Sequence, residues 1–216
     1  MIEFIEQQSR HFANLVIGIL IAAALIFLLF GDYLRLSGFL LTIVLIILPN
    51  YLAANWLIFK NNFSPRFIAL TQFVAACAGY LNFLGSLDFY RNPATWWYDL
   101  VLHFVNPLMI FIITAGFVVI YQDRFFHKTS LFYTVGVNFV LAVFLSFSWE
   151  FYEFLIDLIF SHSTMFGQHG EVYFDTLTDL AADLAAAVLA TWLIYTRFYG
   201  YILNNTVNYR KKVLGQ

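Results

Sequence analysis

Six stretches of this chain are apolar over about twenty residues each: Phe12–Phe30, Leu36–Phe59, Phe67–Phe83, Trp97–Tyr121, Leu131–Phe160 and Leu177–Tyr199. A helix rises about 1.5 Å per residue, so roughly 20 such residues cross a hydrocarbon core of about 30 Å. Lipid offers no partner to an open backbone, so segments of this kind span as helices. Composition agrees: 62% of the residues are hydrophobic and 11% charged, against about 25% charged in a soluble domain. The expected fold is all-α: one polytopic transmembrane helical domain over residues 1–216, six spanning helices, both termini cytoplasmic. The fifth stretch is long enough to project beyond the core. The opening MIEFIEQQSRHF is acidic and no small-residue cleavage pattern follows the first apolar run, so that helix is expected to stay as an anchor. The single Cys77 excludes a disulfide framework or a cysteine metal motif.

Orientation follows from the cations. With the N-terminus inside, Arg10, Lys60, Arg66, Arg124, Lys128, Arg197, Arg210, Lys211 and Lys212 are cytoplasmic, and only Arg35 and Arg91 lie outside. The same placement puts ten of the thirteen carboxylates on the outer side. The inner links are NNFSPRF and YQDRFFHKTS; the outer ones are GDYLRLSG, GSLDFYRNPAT and SHSTMFGQHGEVYFDT. The last outer link holds His162 and His169 and is the expected cover of a site. Pro49 and Pro107, inside the second and fourth segments, each withhold a backbone donor from their helix.

Acids at the edge of hydrocarbon are expensive and are kept where they face a bundle interior, a cavity or a partner charge. Here they form three clusters. Asp99 and His103 are four apart, on one face of the fourth segment, just after the aromatic belt TWWYD. Ser146, Glu150, Glu153 and Asp157 make a continuous stripe on the fifth. Those acids approach a helix C-terminus, where the dipole disfavours them, and they repel one another at that spacing. Either some carboxyls are protonated or a cation sits among them. Asp157 can be solvated; Glu150 is poorly explained that way. On the sixth segment Asp175, Asp179 and Asp183 repeat every four residues beside an alanine ridge of Ala182, Ala186 and Ala190 suited to close packing. Asp175 is expected to cap that helix.

The stretches WYDLVLHF, SWEFYEFLID and DTLTDLAADLAA, within residues 75–195, resemble the bacterial YjdF-like inner-membrane family and, more distantly, the VanZ-like proteins. The matching positions are Asp99, His103, Trp149, Glu150, Glu153, Asp175, Asp179 and Asp183. At the last, the family pattern favours Asn followed by a Gly-containing run; Asp183 and Ala185–Ala187 depart from it, which leaves the role of Asp183 open. The YjdF-like resemblance implies no established activity. VanZ-like proteins are associated with resistance to glycopeptide antibiotics that bind cell-wall precursors, which points to the outer leaflet.

One imidazole with several carboxylates suits a divalent metal: Mg²⁺, Mn²⁺ or Fe²⁺ and, with His103, Zn²⁺. The paired Glu-x-x-His pattern of di-iron bundles is missing, as are a Gly-rich phosphate loop, a serine elbow and a zinc-peptidase motif. The expected catalytic pair is Asp99 and His103. The expected metal ligands are His103, Glu150, Glu153, Asp179 and Asp183, and the expected substrate contacts are Arg91, Trp149, His169 and Asp175. Three functions remain open. The first is a metal-assisted enzyme acting on a membrane lipid or lipid-linked headgroup in the outer leaflet of the inner membrane. The second is a proton- or cation-coupled transporter, and the third a non-catalytic membrane protein that binds a lipid precursor or a partner. No nucleic acid is expected, and the oligomeric state is left open.

Overall fold

The computed structural model describes residues 2–89, 93–95, 97–159 and 172–215, and all their regular structure is helical. The helices are α1 (Ile2–Leu29), α2 (Tyr33–Asn55), α3 (Leu57–Asn62), α4 (Pro65–Leu84), α5 (Trp97–Phe126), α6 (Leu131–Ile159), α7 (Val172–Leu193), α8 (Tyr199–Asn205) and α9 (Val207–Leu214). Six runs are long and apolar enough to cross a membrane: Gln7–Leu29, Tyr33–Asn55, Pro65–Leu87, Trp97–Phe126, Leu131–Ile159 and Tyr173–Leu214. Each overlaps one of the six apolar stretches of the sequence, the last running on past Tyr199 to Leu214. Large apolar side chains such as Leu15, Leu25, Phe144, Phe151 and Trp192 are exposed along them, as helices bathed in lipid require. The chain forms two compact units: residues 1–86 with 201–216, and residues 87–200.

In the first unit α1, α2 and α4 pack pairwise. Ala13, Val16, Leu20, Ala23 and Ala24 of α1 follow the three- and four-residue spacing of one helix face, and bury against Phe39 and Ile46 of α2 and Ala76 of α4. Gly31, at φ +71°, ends α1. Its N–H donates to Leu28 O (3.2 Å) and that of Asp32 to Phe27 O (3.0 Å), the paired bonds of a Schellman stop. Asp32 at once caps α2 by accepting from Arg35 N at 3.1 Å. The expected second segment, Leu36–Phe59, is not one helix. Trp56 is extended (φ −113°, ψ 114°) and separates α2 from the short α3. Ser64 then caps α4, with Pro65 in its first turn. The Ser64 hydroxyl also donates to Asn205 Oδ1 at 2.7 Å, which ties the C-terminal segment to this corner.

In the second unit α5, α6 and α7 pack pairwise, α5 against α7 most extensively. Phe111, Ala142, Ala187 and Ala190 form its apolar centre. The alanines on α6 and α7 let backbones approach, the mode of packing available where lipid is as apolar as the interior. Further along α5 the contacts turn polar. Asn138 Nδ2 donates to Phe111 O (2.9 Å), the Thr114 hydroxyl to Asn138 Oδ1 (2.6 Å) and Gln122 Nε2 to Thr134 Oγ1 (2.7 Å). Gln122 Oε1 also accepts from Ser130 N at 2.8 Å, where α6 begins. Each bond joins two of these helices or their connection, and none leaves hydrocarbon facing an open amide.

Candidate metal centre

The opposite end of the α5–α6–α7 bundle is acidic. Asp99 lies in the first turn of α5 and His103 one turn further in. Glu150 and Glu153 lie on α6 towards its C-terminus, and Asp175, Asp179 and Asp183 occupy successive turns of α7 from its N-terminus. The four-three spacing on α6 and the four-four spacing on α7 turn every one of these acids to the shared interior. All seven side chains are buried, Glu150 to 5% and Asp183 to 2% exposure.

His103 is the centre. Its Nδ1 lies 3.4 Å from Asp183 Oδ1 and 3.9 Å from Glu150 Oε1, and its Nε2 lies 3.9 Å from Asp179 Oδ2. The ring is therefore flanked by carboxylates of α6 and α7 on both nitrogens. The ligand atoms of Asp99, His103 and Asp179 lie within 4.8 Å of one another, and so do those of His103, Glu150 and Glu153. Glu150 Oε1 and Asp183 Oδ1 are buried beside the ring and lack a well-directed hydrogen bond, Asp183 Oδ1 having only the 3.4 Å approach of Nδ1. Buried acceptors left in that state cost free energy unless something supplies positive charge. Pro107, one turn below His103, supplies no N–H to the His103 carbonyl.

Of the residues singled out in the sequence, the structure brings together Asp99, His103, Glu150, Glu153, Asp179 and Asp183 from three helices. Asp175 is also buried, but it does not cap its helix: α7 already begins at Val172 and Asp175 sits inside the first turn. The helix starts earlier than Leu177, and its first turn carries the exposed Tyr173 and Phe174 with the buried Asp175. Asp157 is half-buried. Trp149 does not join the cluster; it is 44% exposed and its ring lies 5.3 Å from that of Tyr152. One residue from Glu150 is about 100° round a helix, so the tryptophan faces the lipid side. Ser146 spends its hydroxyl on Ala142 O at 3.1 Å. Arg91, His162 and His169 lie outside the described residues. Two further buried polar groups lie on α5 and α7. The Thr176 hydroxyl and Asn106 Oδ1 are buried without a hydrogen-bond partner. Asn106, three residues after His103, could have been found from its place on the same helix face; Thr176 reads as a plain helix-start residue.

A chain with six spanning helices and a buried histidine–carboxylate centre at one end of a three-helix bundle is a polytopic integral membrane protein with a polar site set into an apolar scaffold. It belongs to the family described as "Predicted membrane protein (DUF2238)", whose model matches residues 13–199. That membership is consistent with the YjdF-like resemblance. No curated protein and no solved structure matches the chain.

Proposed function

We propose that this cluster is a divalent-cation centre that acts on a lipid or lipid-linked headgroup at the outer leaflet of the bacterial inner membrane. The observation that carries the reading is the His103 ring, buried and faced on both nitrogens by carboxylates, two of whose oxygens have no well-directed donor. An imidazole with carboxylates suits Mn²⁺, Fe²⁺ or Zn²⁺, with Mg²⁺ favoured where oxygen ligands predominate. Bound there, the cation would polarise a phosphate or ester oxygen of the headgroup and activate water. His103, Glu150, Glu153, Asp179 and Asp183 would hold it. Asp99, in the outermost turn of α5, would take the proton of the attacking water on one carboxylate oxygen while the other is turned to the cation, and Asp175 would line the way in. Arg91 and His169, on the two adjoining links, are the candidates for headgroup contact. The bias of basic residues to the other side supports an outward-facing site, and the VanZ-like resemblance points to the same leaflet.

A transporter would need polar groups through the whole depth. The deeper amides and hydroxyls of Thr114, Asn138, Gln122 and Thr134 do exist, but they are bonded to one another. The buried Phe111, Ala142, Ala187 and Ala190 stand between them and the acids along all three helices. A one-sided site fits this arrangement better than a path.

The test is headgroup chemistry. Purified protein in vesicles of bacterial lipid extract, supplied with Mn²⁺, is expected to release a headgroup product visible by mass spectrometry. Chelator or Asp99→Asn should stop the release. Tight retention of one lipid without turnover would replace the enzyme by a binder. Neither turnover nor retention, with metal bound, would remove the lipid reading altogether.

A further inference from the structure

The ligand atoms form two groups, and the groups meet only at His103. Asp99 and Asp179 lie with the ring in one group; Glu150 and Glu153 lie with it in the other. A divalent transition ion holds its donors at about 2.0–2.2 Å, so two donors of one ion are at most about 4.4 Å apart. Each group, spanning up to 4.8 Å, is therefore sized to close on one ion with side-chain movements of a few tenths of an ångström. The two groups share His103 alone, so a single ion at the ring would have to draw carboxylates of both groups closer together.

The imidazole decides how they divide. A neutral ring has one lone pair and one N–H, so it ligates a single cation and donates its proton on the other side. Nε2 faces Asp179 at 3.9 Å, and Nδ1 faces Asp183 at 3.4 Å and Glu150 at 3.9 Å. With Nε2 used as a ligand beside Asp99 and Asp179, Nδ1–H is left for Asp183, a partner of the kind that orients a ligating histidine. Glu150 and Glu153 then remain as a separate carboxylate pair, with Glu150 Oε1 lacking any hydrogen bond. Charge points the same way. Asp99, Glu150, Glu153, Asp179 and Asp183, none more than 6% exposed, are five carboxylates. If all are ionised, one divalent cation would leave three of them uncompensated in a place where uncompensated charge is costly, and two cations would leave one.

We infer that the centre is binuclear: Asp99, His103 and Asp179 close on one divalent cation, while Glu150 and Glu153 hold a second beside Asp183. The inference rests on the metal-centre reading above and goes further, because paired cations are the arrangement that clamps both the attacking and the leaving oxygen in phosphoester displacement.

The experiment counts ions on the full chain in detergent. After stripping with chelator and reloading with Mn²⁺, elemental analysis should find two ions per chain, and electron paramagnetic resonance a spin-coupled pair. Asp179→Asn, or Asp99→Asn in its place, should leave one ion with an isolated six-line manganese signal. Glu153→Gln, or Glu150→Gln, should do the same from the other side. Size-exclusion elution and melting identify variants that fold, and the paired choice at each subsite keeps one usable if the other fails. One ion in the unaltered chain would overturn the binuclear assignment while leaving a metal centre. No ion at all would overturn the metal centre itself. Loss of both ions from either set of folded variants would overturn the division into two subsites.

Discussion

Replacing Glu153 by glutamine should stabilise the metal-free protein and destabilise the metal-loaded one, each relative to the unaltered chain. The carboxylate is 4% exposed, and its ligand atom lies within 4.8 Å of those of Glu150 and His103. Two like charges at that separation repel by about 3 kcal/mol at an effective dielectric constant of about 20. Attraction to the imidazole offsets part of this, so the metal-free variant is expected to gain about 1–2 kcal/mol. For a chain of this size that is a rise in melting temperature of about 2–8 °C, at roughly 2–4 °C per kcal/mol. With cation at a hundredfold the dissociation constant of each subsite, the unaltered protein gains about 5.4 kcal/mol from two sites, or about 11–22 °C, and the variant only the about 2.7 kcal/mol of its remaining subsite. Differential scanning fluorimetry on detergent-solubilised protein, with chelator and with Mn²⁺, reads both arms. Metal-free Glu153→Gln should melt above the unaltered chain, and the loaded variant below it. A variant that melts lower in both conditions would mean that Glu153 stabilises the fold through hydrogen bonds, and the crowding argument would be wrong.

Three further outcomes follow from other parts of the molecule. Asn138→Leu removes the bonds to Phe111 O and Thr114, each worth about 0.6 kcal/mol and at most about 1.7 kcal/mol between membrane helices; melting should fall modestly while metal content stays unchanged. Gly79→Ala would place a Cβ 2.5 Å from Thr42 Cγ2, and Thr42 cannot turn aside without losing its 2.8 Å bond to Gly38 O. About 1–3 kcal/mol of destabilisation is expected, read as a lower melting temperature with cation binding intact. For topology, single cysteines at Asn92 and Gln168, with Cys77 replaced, should react with an impermeant thiol reagent on intact cells; labelling that needs permeabilised cells would place the site inside.

The spanning helices and the acidic cluster were legible in the sequence for one reason: both are periodic. Apolar runs of about twenty residues have few alternatives, and Glu150, Glu153, Asp175, Asp179 and Asp183 repeat at intervals that leave them no other common face. What could not be read depends on local backbone or on neighbours distant in sequence. The break at Trp56 carries no proline or glycine; Asn55 instead turns its amide back to Tyr51 O and the chain goes extended one residue later. The true start of α7 was hidden because polar residues before Leu177 look like a link until the bundle interior is known to be polar there. Trp149 shares a motif with Glu150 yet points away from it, since adjacent residues in a helix never share a face. The division of the chain into two units left no mark, because helices apolar on every side do not show which side packs on which partner.

The central claim is that the cation sits against His103, and anomalous scattering from crystals grown with Mn²⁺ tests it most directly. Anomalous density is expected within about 2.0–2.3 Å of an imidazole nitrogen of His103, with carboxylate oxygens of Asp179 or Glu150 completing the shell. A cluster with no anomalous density, its ring hydrogen-bonded directly to Asp183 and Asp179 in crystals soaked with excess Mn²⁺, would contradict it and leave these residues as a structural polar network.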